Sequence, residues 1–166
     1  MNKRILSHNK GSNHKGDVIT RTVIGLLSNH LPRDYTIAEP NGYIDGCPVE
    51  FDILILRKNS VPVLPYSNVH EREDGKSIIE CKKQGFFYKK SLSQTKIVEN
   101  FKNLERAGLP YKYITIRESR RIIEATRSVL PEDKSFFLGI SAEKWINGEW
   151  ERFVKSVMAY LNCKQK

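Results

Sequence analysis

Apolar residues recur along the chain at two spacings, and the switch from one to the other marks out its elements. From Asp17 to Pro32, Val18, Ile19, Val23, Ile24, Leu26 and Leu27 return at helical intervals, with Asp17 suited to the helix N-terminus. Tyr35 to Ala38 reads as a short strand. A turn rich in Pro, Asn and Gly follows, then a stronger strand from Pro48 to Leu56. Two prolines break the next connection, "SVPVLPYSNVHEREDGK", before a third strand from Ser77 to Lys83. In "SLSQTKIVENFKNLERAG", Ile97, Val98, Phe101 and Leu104 share one face and a glycine ends the run, which predicts a helix. "YKYITI" is a β-branched and aromatic strand. A helix through "RESRRIIEATRSVL", a short strand through "SFFLGI" and a last helix through "EWERFVKSVMAYL" complete the chain. The order α-β-β-β-α-β, with additions, predicts an α/β fold: a mixed β-sheet flanked by helices.

Length and composition narrow the picture. The first 16 residues are polar, basic and interrupted by glycine, so residues 1–16 are expected to form a flexible basic arm and residues 17–166 a single domain. A hydrophobic share of 39% beside 28% charged residues belongs to a folded, soluble chain rather than a disordered one. No apolar run approaches the roughly 18 residues of a membrane span, and the start lacks the apolar core of a signal peptide; a cytoplasmic protein is expected. Cys47, Cys81 and Cys163 form no CxxC pair and read as buried thiols in a reducing compartment. His8, His14, His30 and His70 lack metal-ligand spacing and read as solvent or turn residues, while Trp145 and Trp150 flank an Asn-Gly turn and read as packing.

Charge supplies the first functional hint. A net charge of +9 draws a small domain towards polyanions, and DNA is the expected partner. Lys83, Lys89, Lys90 and Lys96 surround the aromatic run Phe86, Phe87 and Tyr88, a segment able either to grip a nucleic-acid backbone or to pack in a core or dimer contact. Arg120, Arg121 and Arg127 sit on the helix after "YKYITI", with Arg120 and Arg127 on one face, suited either to phosphates or to solvent.

The candidate chemistry lies at the ends of two strands. Side chains alternate between faces, so Glu50 and Asp52 fall on one side of the second strand, opposite Phe51, Ile53 and Ile55. On the third strand Glu80, Lys82 and Gln84 fall together, opposite Ile79 and Cys81. Two carboxylates brought near each other repel unless a cation sits between them, and hard oxygen ligands favour Mg²⁺ or Mn²⁺. Such an ion can polarise a phosphate oxygen and help a water ionise, with Lys82 alongside to steady the developing charge.

"VEFDILI" and "IIECKKQ" resemble the two half-motifs of the PD-(D/E)xK nuclease superfamily, in which an acid on the second core strand precedes an E-x-K tripeptide on the third. Here these are Asp52 and then Glu80-Cys81-Lys82, and the element order agrees over roughly residues 17 to 117. The resemblance implies a restriction-endonuclease-like core and a metal bound by Asp52, Glu80 and the main-chain carbonyl of Cys81. It also implies that Lys82 stands beside the attacking water with Gln84 in support, and Glu50, on the same strand face as Asp52, is read as a further support. The position before Asp52 is Phe51 where the pattern has proline, and the first helix offers one acid, Asp17. The expected function is metal-dependent DNA cleavage, by a small type II restriction-type enzyme working as a homodimer. A structure-selective nuclease, of the Holliday-junction resolvase, homing or repair kind, is the alternative within the class. A nuclease-like DNA-binding protein without activity is the alternative outside it.

Overall fold

A computed structural model describes residues 14–84, 101, 102, 104–128, 130–140 and 144–163. Helix α1 (His14–Ser28) begins three residues ahead of the expected start. Strands β1 (Tyr35–Ile37), β2 (Tyr43–Ile44), β3 (Ile53–Arg57), β4 (Val69–His70) and β5 (Gly75–Gln84) follow. Phe101, Lys102, Leu104 and Glu105 are helical, in the segment where periodicity predicts a helix. Then come β6 (Tyr111–Arg117), α2 (Arg120–Arg127), β7 (Ser135–Phe137), β8 (Gly139–Ile140), β9 (Lys144–Trp145) and α3 (Glu149–Cys163). Among the described residues no helix is long and apolar enough to cross a membrane.

Five strands form the main sheet in the order β1-β3-β5-β6-β7. β1, β3 and β5 are joined antiparallel, while β5, β6 and β7 run parallel. The switch occurs at β5, which is central and covered on both faces. An apolar core covers each face, and so Ile53, Leu54, Ile55 and Leu56 are all buried where a half-exposed strand would alternate. On one face Val23 and Leu27 of α1 and Phe153, Val157 and Leu161 of α3 pack with Ile53, Ile55, Ile79, Ile114 and Phe136. The other face gathers Leu54, Leu56, Ile78, Tyr111, Tyr113 and Phe137 with Phe101, Leu104, Ile123 and Leu130.

The second strand departs from its predicted form. β3 starts at Ile53, not at Pro48, because Phe51 exchanges two backbone hydrogen bonds with Gly42 (2.9 and 3.0 Å) and the chain bends at Asp52. Phe51 therefore packs with Leu54 and Leu56, on the face away from Ile53 and Ile55 with which strict alternation would group it. The predicted strand through "SFFLGI" divides into β7 and β8, the latter pairing with β9 in a two-stranded ribbon. β2 and β4 form a second ribbon that apolar patterning did not announce. Two packing expectations fail as well. His70 is buried, its Nδ1 3.0 Å from the Ser60 hydroxyl, and Trp145 is 65% exposed. Trp150 does pack, against Phe153.

Candidate active site

Pairing of β3 with β5 runs Ile55 with Ser77, Leu54 with Ile78 and Ile53 with Ile79. One further step in that register sets Asp52 against Glu80. The bend takes Asp52 and Phe51 out of the ladder that Ile53 begins, so the Asp52 side chain takes the place of a strand partner: Oδ2 accepts the Cys81 N–H at 2.8 Å. This bond orients the carboxylate towards β5. A strand residue sends its N–H and C=O to the same side, so the Cys81 carbonyl faces the same gap.

Lys82 closes the group. Its Nζ lies 3.3 Å from Asp52 Oδ2 and is also ion-paired with Glu80 Oε1, so one ammonium serves two carboxylates. The side chains retain some access to solvent, at 30% for Lys82, 23% for Asp52 and 15% for Glu80. Glu80 is the least accessible, and burial, together with the Asp52 charge, pushes its carboxyl up to about 7 despite the nearby ammonium. Burial opposes the charge on Lys82, but the Glu80 and Asp52 carboxylates outweigh it and hold the ammonium above its ordinary value. Burial and the two carboxylates push the Cys81 thiol well above its usual range, so this residue can serve the site through its backbone and not as a thiolate.

Among the described residues the two carboxylates share the Lys82 ammonium, and burial leaves Glu80 the carboxyl that takes up a proton more readily than an ordinary one. Two carboxylates and a carbonyl around one gap are hard oxygen donors, the set that suits Mg²⁺ or Mn²⁺ with several waters retained. Among the described residues no group of three or more His, Cys, Asp or Glu side chains gathers to hold a metal, so a cage made of side chains alone is absent there.

The other predicted residues fall into four groups. Glu50 is exposed and accepts the Tyr43 hydroxyl, which, with burial, raises that phenol to about 12; its recorded bond is to the β2 ribbon and not to the Asp52 cluster. Lys83 and Gln84 continue β5, in register with the end of β6, but their side chains, that of Asp17, and Lys89, Lys90 and Lys96 altogether lie outside the described residues. Arg120 and Arg121 are exposed at the start of α2. Because β5 and β6 are parallel, with Gln84 beside Arg117, α2 begins beyond the end of the sheet towards which Lys82 and Gln84 run. Arg127 is differently employed: it stacks over Phe137 and lies 3.8 Å from Glu149. Thr115, which motif reasoning passed over, is buried in register with Lys82. A threonine between two isoleucines in "YKYITI" was the available signal.

No family model matches the chain, and no curated protein does either. Solved structures do resemble it. NucC of P. aeruginosa ATCC27853, in its cAAA-bound form, matches with a TM-score of 0.55 at 12% identity over 93% of this chain and 83% of that one. NucC of E. coli MS115-1 in its cAAA-bound form gives 0.51 at 12% identity, over 80% and 66%. Its apo form gives 0.47 at 11%, over 70% and 64%, so the chain spans a little under two thirds of either E. coli chain. At this identity the likeness concerns the fold: a mixed sheet flanked by helices, of the restriction-endonuclease-like kind.

Proposed function

We propose that the protein is a metal-dependent DNA endonuclease of the PD-(D/E)xK type, hydrolysing phosphodiester bonds as a small restriction-type enzyme. The observation that carries this reading is the Asp52, Glu80 and Lys82 cluster, set across β3 and β5 with Glu80 raised to about 7. The fold shared with the NucC structures supports it.

Mg²⁺, or Mn²⁺ in its place, would be held by Asp52, Glu80 and the Cys81 carbonyl, and would supply Lewis acidity towards a phosphate oxygen and a bound water. Asp52 is kept in position by the Cys81 N–H. Glu80 gives up its proton when it becomes a ligand. Lys82 orients the attacking water and stabilises the charge that develops on it and on the phosphate. Arg120 and Arg121, exposed at the start of the helix that follows β6, contact the DNA backbone, whose phosphates a chain of net charge +9 attracts. One chain presents one such cluster, so cutting both strands of a duplex calls for two copies, and a homodimer is proposed.

The reading is tested by incubating the purified protein with linear duplex, four-way junctions and RNA, with Mg²⁺, Mn²⁺ or chelator. Metal-dependent cleavage of linear duplex supports it. Cleavage confined to junctions replaces it with a structure-selective nuclease, and tight binding with no cut product in either metal replaces it with an inactive DNA-binding protein.

A further inference from the structure

Thr115 sits in the middle of β6, fully buried, and among the described residues its Oγ1 has no hydrogen-bond partner. A buried hydroxyl left in this condition is costly, and a valine of the same shape would remove the cost. Its location is specific: Thr115 is the register partner of Lys82 across the parallel β5 and β6 pair, where adjacent strands lie about 4.8 Å apart. Tyr111 and Tyr113 belong to the same core as Ile78, while Ile114 belongs to the opposite core with Ile79 and Cys81. Alternation therefore brings Thr115 to the face that carries Ile78, Glu80 and Lys82.

The Lys82 ammonium rests on Asp52 and Glu80. A divalent cation held by those carboxylates repels an ammonium in that position, so Lys82 has to withdraw from them to stay beside the site. We infer that Thr115 is a positioning residue for Lys82, its buried hydroxyl accepting the ammonium when a divalent cation occupies the two carboxylates. The inference rests on the metal-dependent reading of the site, and it explains why an otherwise unfavourable hydroxyl stands at this point of the strand.

The test compares the parental chain with Thr115→Val, Thr115→Ser, Lys82→Met and the Thr115→Val/Lys82→Met pair, by Ca²⁺ titration in a calorimeter and by thermal melting. Without metal, Thr115→Val melts at or above the parental temperature, since no hydrogen bond is lost. Its Ca²⁺ affinity falls about threefold to tenfold, the worth of one hydrogen bond, and its kcat in Mg²⁺ falls by a similar factor or more with KM for DNA unchanged. Thr115→Ser keeps both properties near parental, and in the Lys82→Met background Thr115→Val costs no further affinity. Thr115→Ala stands in should the valine variant fail to fold. Parental Ca²⁺ affinity in Thr115→Val, or an equal loss with Lys82 already gone, overturns the inference alone. A parental protein that binds neither Ca²⁺ nor Mg²⁺ overturns the site reading and this inference with it.

Discussion

At the scale of single residues the three charged groups of the cluster are expected to fail in different ways. Asp52→Ala and Glu80→Ala each take away a carboxylate, so metal binding and cleavage fall together while DNA is still held, the repulsion of phosphates being reduced. Lys82→Ala leaves the carboxylates in place, so metal is retained while hydrolysis slows by about 10²–10³-fold, the usual loss when one group that stabilises transition-state charge is removed. Calorimetric metal titration beside a cleavage assay separates the two patterns. Glu50→Gln costs far less, since Glu50 bonds Tyr43. Glu80 also predicts a pH dependence. Its carboxyl rises from 4.5 to about 7 on folding, so the folded chain binds the proton more tightly than the unfolded one. The stability this gives is complete below about pH 4.5 and is lost as pH rises through 7. Metal-free Glu80→Gln should therefore gain on the parental protein in melting temperature from pH 5 to pH 8. Metal affinity of the parental chain should rise over pH 6 to 8, as the bound ion displaces that proton. A difference that stays flat with pH would count against the raised carboxyl.

At the scale of elements, the placement of the site depends on β5 and on what fixes its neighbours. The carboxylate of Glu149, at the start of α3, accepts the Phe137 N–H at 3.1 Å and two bonds from Arg152 at 2.8 and 2.9 Å. Burial disfavours its charge, but these bonds and Arg127 prevail and hold it below the usual carboxylate range. Glu149→Ala removes the carboxylate partner of Arg152, which keeps the Glu132 and Ser135 carbonyls, and leaves the edge-strand Phe137 N–H without its acceptor; chemical denaturation should show a loss of about 3 kcal/mol, the low end for a broken buried pair because Arg152 remains 30% exposed. Ile53→Ala, at a fully buried position beside Asp52, should cost about 2–5 kcal/mol. Most elements were legible because long periodic runs, such as the one in α1, dominate their local preferences. The start of β3 was not, since the bend at Asp52 comes from the distant bridge between Phe51 and Gly42, which alternation cannot reveal. Asp52, Glu80 and Lys82 were legible as a group because period-two reasoning applies to β5 and antiparallel register does the rest. The Cys81 N–H bond and the employment of Arg127 by Phe137 and Glu149 were not, both being tertiary contacts between elements that patterning treats one at a time.

At the scale of the whole molecule, the net charge of +9 predicts that binding to DNA is driven largely by release of counterions. Affinity measured by anisotropy should fall steeply between about 50 and 200 mM salt, and Arg120→Ala with Arg121→Ala should flatten that slope by about one unit each. Mass measurement in solution, with and without DNA, should give twice the mass of a chain if the homodimer holds. The central claim, that the cluster between β3 and β5 is a metal-dependent cleavage centre, has one direct test. Supercoiled plasmid is incubated with parental protein, Asp52→Ala and Lys82→Ala, each shown to be folded by melting, in Mg²⁺ and in chelator. The account predicts nicked or linear plasmid from the parental protein in Mg²⁺ alone, none from Asp52→Ala, and cutting slowed by about 10²–10³-fold in Lys82→Ala. Parental-rate cutting by both variants, or cutting that persists in chelator, would contradict it.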